Sequence, residues 1–395
     1  MSIKNLDNYK ILFALRNLKS ILTIFIESFL VLYFLTLSEG NILPLGIYNL
    51  FYVTLIFITM FLLRNICKTK ARINLLRIGI ILDFFFFLMI IILQEQVINY
   101  IYILGILLGL REGFYYSAYN IFESDGITNN ERRKFNGTYL ATRAALTITF
   151  PLIFGGLIAT TGFLNSILVV LIIVVIRIIL SFMFKDNNIP KYNKTNLKKF
   201  YQKIKHDNLI KQSYKLSVLN GLTYSVGAFQ SIVIVYIIKI FNESFSLGVF
   251  TSIFIAITFL MGILFSKYIK PKYFKKIIIT SMPFTILSLI TMILFTNAFT
   301  VILFNFFQTI SRNLTVLIND VNIMNVSNSS WLKKEYKVEF FLANDFALFI
   351  GRFISHLLFI LMVVVNEIYI ILIFIIFLIL LTIHSIRLQK SIENQ

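Results

Sequence analysis

The stretch Asn17–Tyr33, NLKSILTIFIESFLVLY, returns about two hundred residues later as Asn220–Tyr236, NGLTYSVGAFQSIVIVY. Set in register, Asn17 meets Asn220, Glu27 meets Gln230, Ser28 meets Ser231 and Tyr33 meets Tyr236. Each run approaches the ~20 apolar residues that a helix needs to cross a bilayer. A chain that repeats such a run half its length apart reads as two related membrane halves. One carboxylate, Glu27, sits in the first helix of the first half.

Composition points the same way. Of 395 residues, 58% are hydrophobic and only 14% charged, whereas charged residues make up roughly a quarter of a soluble domain. Only helices and closed barrels satisfy their backbone hydrogen bonds in lipid. The apolar runs here are continuous rather than alternating, which excludes barrel strands and leaves a helical bundle. Twelve such runs are expected, near 18–38, 43–63, 73–93, 98–118, 137–160, 163–183, 213–239, 246–266, 276–296, 298–318, 340–364 and 368–388.

The formal charge of +19 would suggest nucleic acid in a soluble protein, but here the cations fall in alternate loops. Lys4, Lys10, Arg16 and Lys19 precede or open the first run. Arg64 to Arg72, Arg132 to Lys134, Lys267 to Lys276 and Lys333 to Lys337 lie in every second loop, while Glu39, Glu95, Glu243 and Glu367 mark the opposite side. By the positive-inside rule both termini are cytoplasmic, in a multi-pass protein of the cell membrane. No cleavable leader is expected, because Met1–Lys10 runs directly into apolar sequence. The polar stretch from Lys185, KDNNIPKYNKTNLKKFYQKIKHDNLIKQSYK, divides the chain into residues 1–184, a basic linker 185–212 on the anionic inner leaflet, and residues 213–395.

The repeat extends beyond the opening helix. LGIYNL at Leu45 recurs as LGVFTS at Leu247; Arg132, Arg133 and Phe135 meet Lys333, Lys334 and Tyr336; Arg111 meets Arg312. A parallel repeat places a binding site near the bilayer midplane. With these features the chain resembles the major facilitator superfamily over essentially its whole length. LLGLREGFYYSA, Leu107–Ala118, looks like the fourth-helix signature, with Arg111 in the arginine place. Pro151, Gly155 and Gly156 are similar to the fifth-helix antiporter signature, and RNICKTKAR, Arg64–Arg72, keeps the basic residues of the second-loop signature without its Gly and Asp. The resemblance implies an all-α membrane protein of twelve transmembrane helices in two pseudo-symmetric six-helix halves. It also implies transport of a small solute by alternating access, coupled to protons, leaning toward drug-like export by antiport.

Charges inside a membrane cost a few kcal/mol even on lenient scales, so each marks a candidate site. They are Glu27, Asp83, Arg111, Glu112, Arg143, Arg312, Asp345, Arg352 and His356. Ser20, Thr23 and Glu27 share one helix face, as do Asn220, Tyr224 and Ser231. Burial favours the protonated carboxylate and a nearby guanidinium the ionised one, and that competition couples a proton to substrate. Glu27, Arg111 and Glu112 form the expected coupling set, with a permanent ion pair as the alternative. Asn17, Tyr115, Arg143, Asn220, Tyr224, Gln230, Arg312, Asp345, Arg352 and His356 are the expected cavity residues. Tyr119 is a further aromatic beside them.

Other roles stay open for several of these. Arg143 either meets an anionic substrate group or pairs with Glu112. Asp345, Arg352 and His356, at i, i+7 and i+11, form either a polar cavity patch or an internal salt bridge. Asp83 reads as a packing or gate residue.

The three histidines stand apart and Cys67 is alone, so no metal or disulfide is expected. A phosphate-binding glycine loop and a nucleophile elbow are missing, so neither ATP hydrolysis nor another enzyme activity is expected, and no cofactor. The partners are a small-molecule substrate, protons and the lipid bilayer, with no nucleic acid and a monomeric chain. Uptake of an anionic nutrient through Arg111, Arg143 and Arg312, and a non-transporting sensor or lipid-handling role, are the alternatives.

Overall fold

The computed structural model describes residues 3–66, 69–126, 129–185, 196–224, 232–233, 235–237, 240, 244–327, 332 and 336–393. Among them every element is helical. The first apolar run is α1 (Ile3–Ile24), a π-turn over Phe25–Leu30, and α2 (Val31–Leu37). Then come α3 (Leu43–Leu63), α4 (Arg72–Leu93), α5 (Ile101–Gly126), α6 (Asn129–Thr161) and α7 (Phe163–Met183). After the basic stretch come α8 (Leu197–Ile204), α9 (Asn208–Thr223), α10 (Ser244–Tyr268), α11 (Phe274–Leu294), α12 (Ala298–Ser327), α13 (Lys337–Leu361) and α14 (Glu367–Glu393). Among the described residues a helix thus falls on each expected run, the seventh carrying α9 up to Thr223 and being only partly described beyond Tyr224. Eight helical stretches among the described residues have the length and apolarity of a membrane span.

Local chemistry sets the helix starts. Pro44 opens α3, where its missing N–H costs nothing. The Asp207 carboxylate accepts from the Ile210 N–H at 3.0 Å and caps α9. The Asn196 side chain does the same for α8, accepting from the Lys199 N–H at 3.1 Å. Between α4 and α5 the chain reverses at Gln94, whose φ of 48° breaks the helix. Gly162 provides the left-handed residue, φ 87°, between α6 and α7.

The described chain groups into two compact units: Met1–Lys194 with Phe241–Ala256, and Thr195–Ile240 with Ile257–Gln395. Within the first, α3 and α5 touch backbone to backbone along Gly105, Gly109 and Gly113. A Cβ at Gly105 would lie 2.4 Å from the Tyr48 carbonyl oxygen, and one at Gly113 2.5 Å from Thr59 Cβ. Gly79 brings α4 equally close to α5 at Tyr115 and the Arg111 carbonyl. Within the second, Gly221 of α9 and Gly351 of α13 do the same, a Cβ on Gly351 falling 2.0 Å from the Val218 carbonyl oxygen. Small residues at such crossings replace the hydrophobic drive that lipid removes.

Helix α7 shows which solvent surrounds the fold. Its buried residues include Ser166, Arg177 and Ser181, whereas Leu168, Ile172, Ile176 and Ile179 are exposed. An apolar outside around a partly polar inside suits hydrocarbon, not water.

Candidate functional site

In the first unit, five charged side chains from four helices meet in a buried network. Lys19 comes from α1, Asp83 from α4, Arg111 and Glu112 from α5, and Arg177 from α7; none is more than 6% exposed. Arg111 and Glu112 are consecutive, so their side chains leave α5 about 100° apart and serve different neighbours. Arg111 Nε meets Asp83 Oδ1, and Arg177 Nη1 meets Asp83 Oδ2, so two guanidinium groups clasp one carboxylate. Glu112 takes Lys19 Nζ at 2.8 Å and the Arg111 Nη1 at 3.5 Å.

Aromatic rings complete the enclosure. Lys19 Nζ donates to the Tyr116 hydroxyl at 3.3 Å and lies 5.2 Å from the Tyr115 ring centre. The Arg177 guanidinium is 5.6 Å from that same ring, and Tyr115 stacks on Tyr119 at 5.3 Å. Nearby, Arg16 lies over the Tyr139 ring at 3.7 Å, and the Ser20 and Tyr139 hydroxyls bond at 3.2 Å.

Glu27 stands apart in character. It lies on the π-turn Phe25–Leu30, which buries Phe25, Ile26, Phe29 and Leu30 and leaves Glu27 exposed. The inserted residue of a π-turn rotates the side chains beyond it relative to Ser20 and Thr23, and such turns concentrate at functional sites. Phe25 holds the turn in place through Phe29, Phe87, Phe154 and Phe163, with ring centres 5.0 to 6.1 Å apart.

The remaining expected residues divide by unit. Asn17 is buried and its amide donates to the Phe13 carbonyl of its own helix at 2.9 Å. Its repeat mate Asn220 instead accepts from the Asn319 amide on α12 at 3.1 Å. Arg143 is exposed on α6, and the partners of Glu112 are Lys19 and Arg111. Arg312 donates to the Tyr224 carbonyl at 3.3 Å, at the C-terminal end of α9. The Tyr224 hydroxyl and the Ser311 hydroxyl both approach the Met282 sulfur, at 3.7 and 3.2 Å. On α13, Asp345 and Arg352 are half-buried and His356 is buried. Gln230 lies outside the described residues.

Sequence reasoning missed Lys19 and Arg177. Lys19 reads as an orienting charge at the first helix entrance, although it lies on the face of α1 that also carries Thr23. Arg177 had a plain signal, being the single charge in FLNSILVVLIIVVIRIILSFM.

Comparison with known proteins identifies the scaffold. The model of the Major Facilitator Superfamily matches residues 12–356. The chain belongs to this superfamily. It is therefore a membrane transporter and not an enzyme. Among relatives, the uncharacterized protein YqgE of Bacillus subtilis (strain 168) is 24% identical over 332 residues, covering 82% of this chain and 76% of that protein. An uncharacterized protein in the sodM 3' region of Geobacillus stearothermophilus is 29% identical over 124 residues, 31% of this chain and 58% of that protein.

Two solved structures share the fold of this major facilitator chain. One is a bacterial homologue of the iron transporter ferroportin in the inward-facing state, with a TM-score of 0.65 at 14% identity, covering 98% of this chain and 100% of that one. The other is a bacterial metal transporter, with a TM-score of 0.61 at 15% identity, covering 98% and 99%.

Proposed function

We propose that this transporter of the cytoplasmic membrane, with both termini cytoplasmic, exports small amphipathic compounds in exchange for protons, and that Glu27 is the exchanging carboxylate. One observation carries the reading: Glu27 is exposed on a π-turn in the middle of an apolar span, while Asp83 and Glu112 are buried in ion pairs. A carboxylate in hydrocarbon is costly, so one left outside the protein core at this depth belongs on a water-filled path. An exposed carboxylate there is open to exchange a proton for a cationic or polar group, whereas Asp83 and Glu112 are closed off by burial.

Arg111, Glu112 and Lys19 then act as a scaffold beneath Glu27 rather than as its titrating partners, which departs from the coupling set expected from sequence. Metal cargo, after which both solved structures are named, has less support here. Among the described residues no three His, Cys, Asp or Glu side chains come together, and a hard divalent ion needs such oxygen or nitrogen ligands.

The test is transport in proteoliposomes with an imposed proton gradient. Glu27→Gln removes the charge at nearly constant shape and is expected to abolish proton-driven accumulation of lipophilic cations while leaving folding intact. Retained proton-driven transport by that variant sinks the assignment.

A further inference from the structure

Among the described residues, the ion pairs of the first unit's buried network do not balance. Lys19, Arg111 and Arg177 carry three positive charges, and Asp83 and Glu112 two negative ones. At no more than 6% exposure, an uncompensated cation is expensive in membrane, and burial removes the water that would offset it. Three guanidinium nitrogens, Arg111 Nη2 and Arg177 Nε and Nη2, together with the Tyr115 hydroxyl, have no hydrogen-bond partner among the described residues. Their geometry gathers them: both arginines clasp Asp83, and the Arg177 guanidinium lies over the Tyr115 ring, one helical turn from Arg111.

The repeat shows that this excess is not a property of the scaffold. In the second unit the positions matching Lys19 and Glu112 are Leu222 and Asn313. The amide of Asn313 donates to neutral oxygens of Thr258 and Thr309, at 3.0 and 2.7 Å. Only Arg312 keeps its charge there, and it reaches a helix-end carbonyl.

We propose that the Arg111–Arg177–Tyr115 corner of the first unit binds one small monovalent inorganic anion of the halide class. One charge is missing, so one monovalent anion balances the network. The four open donors are those a halide takes, two guanidinium groups and a phenol. A divalent oxyanion such as sulfate would overshoot the single missing charge. The anion is a fixed structural ligand, separate from the exchange at Glu27.

The experiment uses the purified full chain in detergent at constant pH and ionic strength, with chloride replaced stepwise by gluconate. A ligand that binds only the folded state raises its unfolding temperature with concentration. We expect the unfolding temperature to rise by several degrees between about 1 and 100 mM chloride, with nitrate weaker and sulfate inactive. Arg177→Met brings the network to two against two and is expected to lose the chloride dependence. Equal unfolding temperatures in chloride and gluconate for the natural sequence overturn the proposal, as does an undiminished chloride effect in Arg177→Met. If that variant does not fold, anomalous diffraction from bromide-grown crystals of the natural sequence decides: a peak between Arg111 and Arg177 supports the site, and its absence there removes it.

Discussion

Asp83 is where residue chemistry and stability meet most directly. Its two oxygens compensate two buried guanidinium groups, so Asp83→Asn leaves Arg177 without its counter-charge and Arg111 with Glu112 alone, at 3.5 Å, at almost unchanged volume. Breaking a buried pair from one side costs about 3–5 kcal/mol. A large drop in the thermal midpoint is therefore expected for Asp83→Asn, part of which returns when Arg177→Met is added, because the two residues share one interaction. Additive losses in the double variant would show that the pair does not act as a unit. Exposed Glu27 offers the contrast: its neutralisation is expected to leave the unfolding free energy within about 0.5 kcal/mol of the natural protein's, as for a substitution outside the core.

How much of this is readable from sequence differs from residue to residue. That Asp83, Arg111 and Glu112 are special positions is signalled by charge in an apolar run. Their partners are not, because Lys19 and Arg177 lie far from them in sequence and pair only through the tertiary arrangement of α1, α4, α5 and α7. Asn17 and Asn220 make the same point. They match in the repeat, yet one bonds within its own helix and the other across to α12.

Helices are the most legible level. Among the described residues a helix lies on each apolar run, the seventh only in part, with termini moved mostly by polar extensions such as those of α6, which begins at Asn129, and α12, which continues to Ser327. A search for apolar length ends before such extensions do. The π-turn at Phe25–Leu30 has no sequence signal, since the periodicity of an all-apolar stretch cannot register one inserted residue. The glycine spacing of Gly105, Gly109 and Gly113 was a missed cue to the close crossing with α3.

Glycine positions also give a paired test. At Gly351 an added Cβ meets the Val218 carbonyl oxygen at 2.0 Å and the Leu222 nitrogen at 2.7 Å, both backbone. Gly351→Ala must therefore push α13 off α9, and a loss of about 1–3 kcal/mol or more is expected from overpacking. At Gly262 on α10 no atom lies within 4 Å of the added Cβ, so Gly262→Ala should leave the thermal midpoint unchanged or raise it, since Ala favours helix by up to about 1 kcal/mol over Gly. Equal effects at both sites would contradict the close packing of α9 on α13.

At the scale of the molecule, composition is enough for the class, because bilayer physics leaves few solutions to a chain this apolar, and the repeat with its local motifs carries the resemblance to the family that the match over residues 12–356 shows. The ionic network belongs to the first unit alone among the described residues, and the positions matching Lys19 and Glu112 in the second carry neutral side chains. Two units built on one repeat have thus diverged at matching interior positions: the first places Lys19 and Glu112 in an ion pair, whereas Leu222 and Asn313 stand there in the second, whose interior bonds include amides, hydroxyls and the Met282 sulfur. Substrate choice is grafted onto such a fold by side chains rather than fixed by it.

The central claim, that Glu27 trades a proton for substrate, is tested most directly by proton release from the purified, detergent-solubilised protein. Lipophilic cations, organic anions and divalent metal ions are added in turn to the natural sequence and to Glu27→Gln. The account expects lipophilic cations to release protons from the natural protein and none from Glu27→Gln, with binding still detectable in the variant. Binding without proton release from either form, or equal release from both, would contradict it.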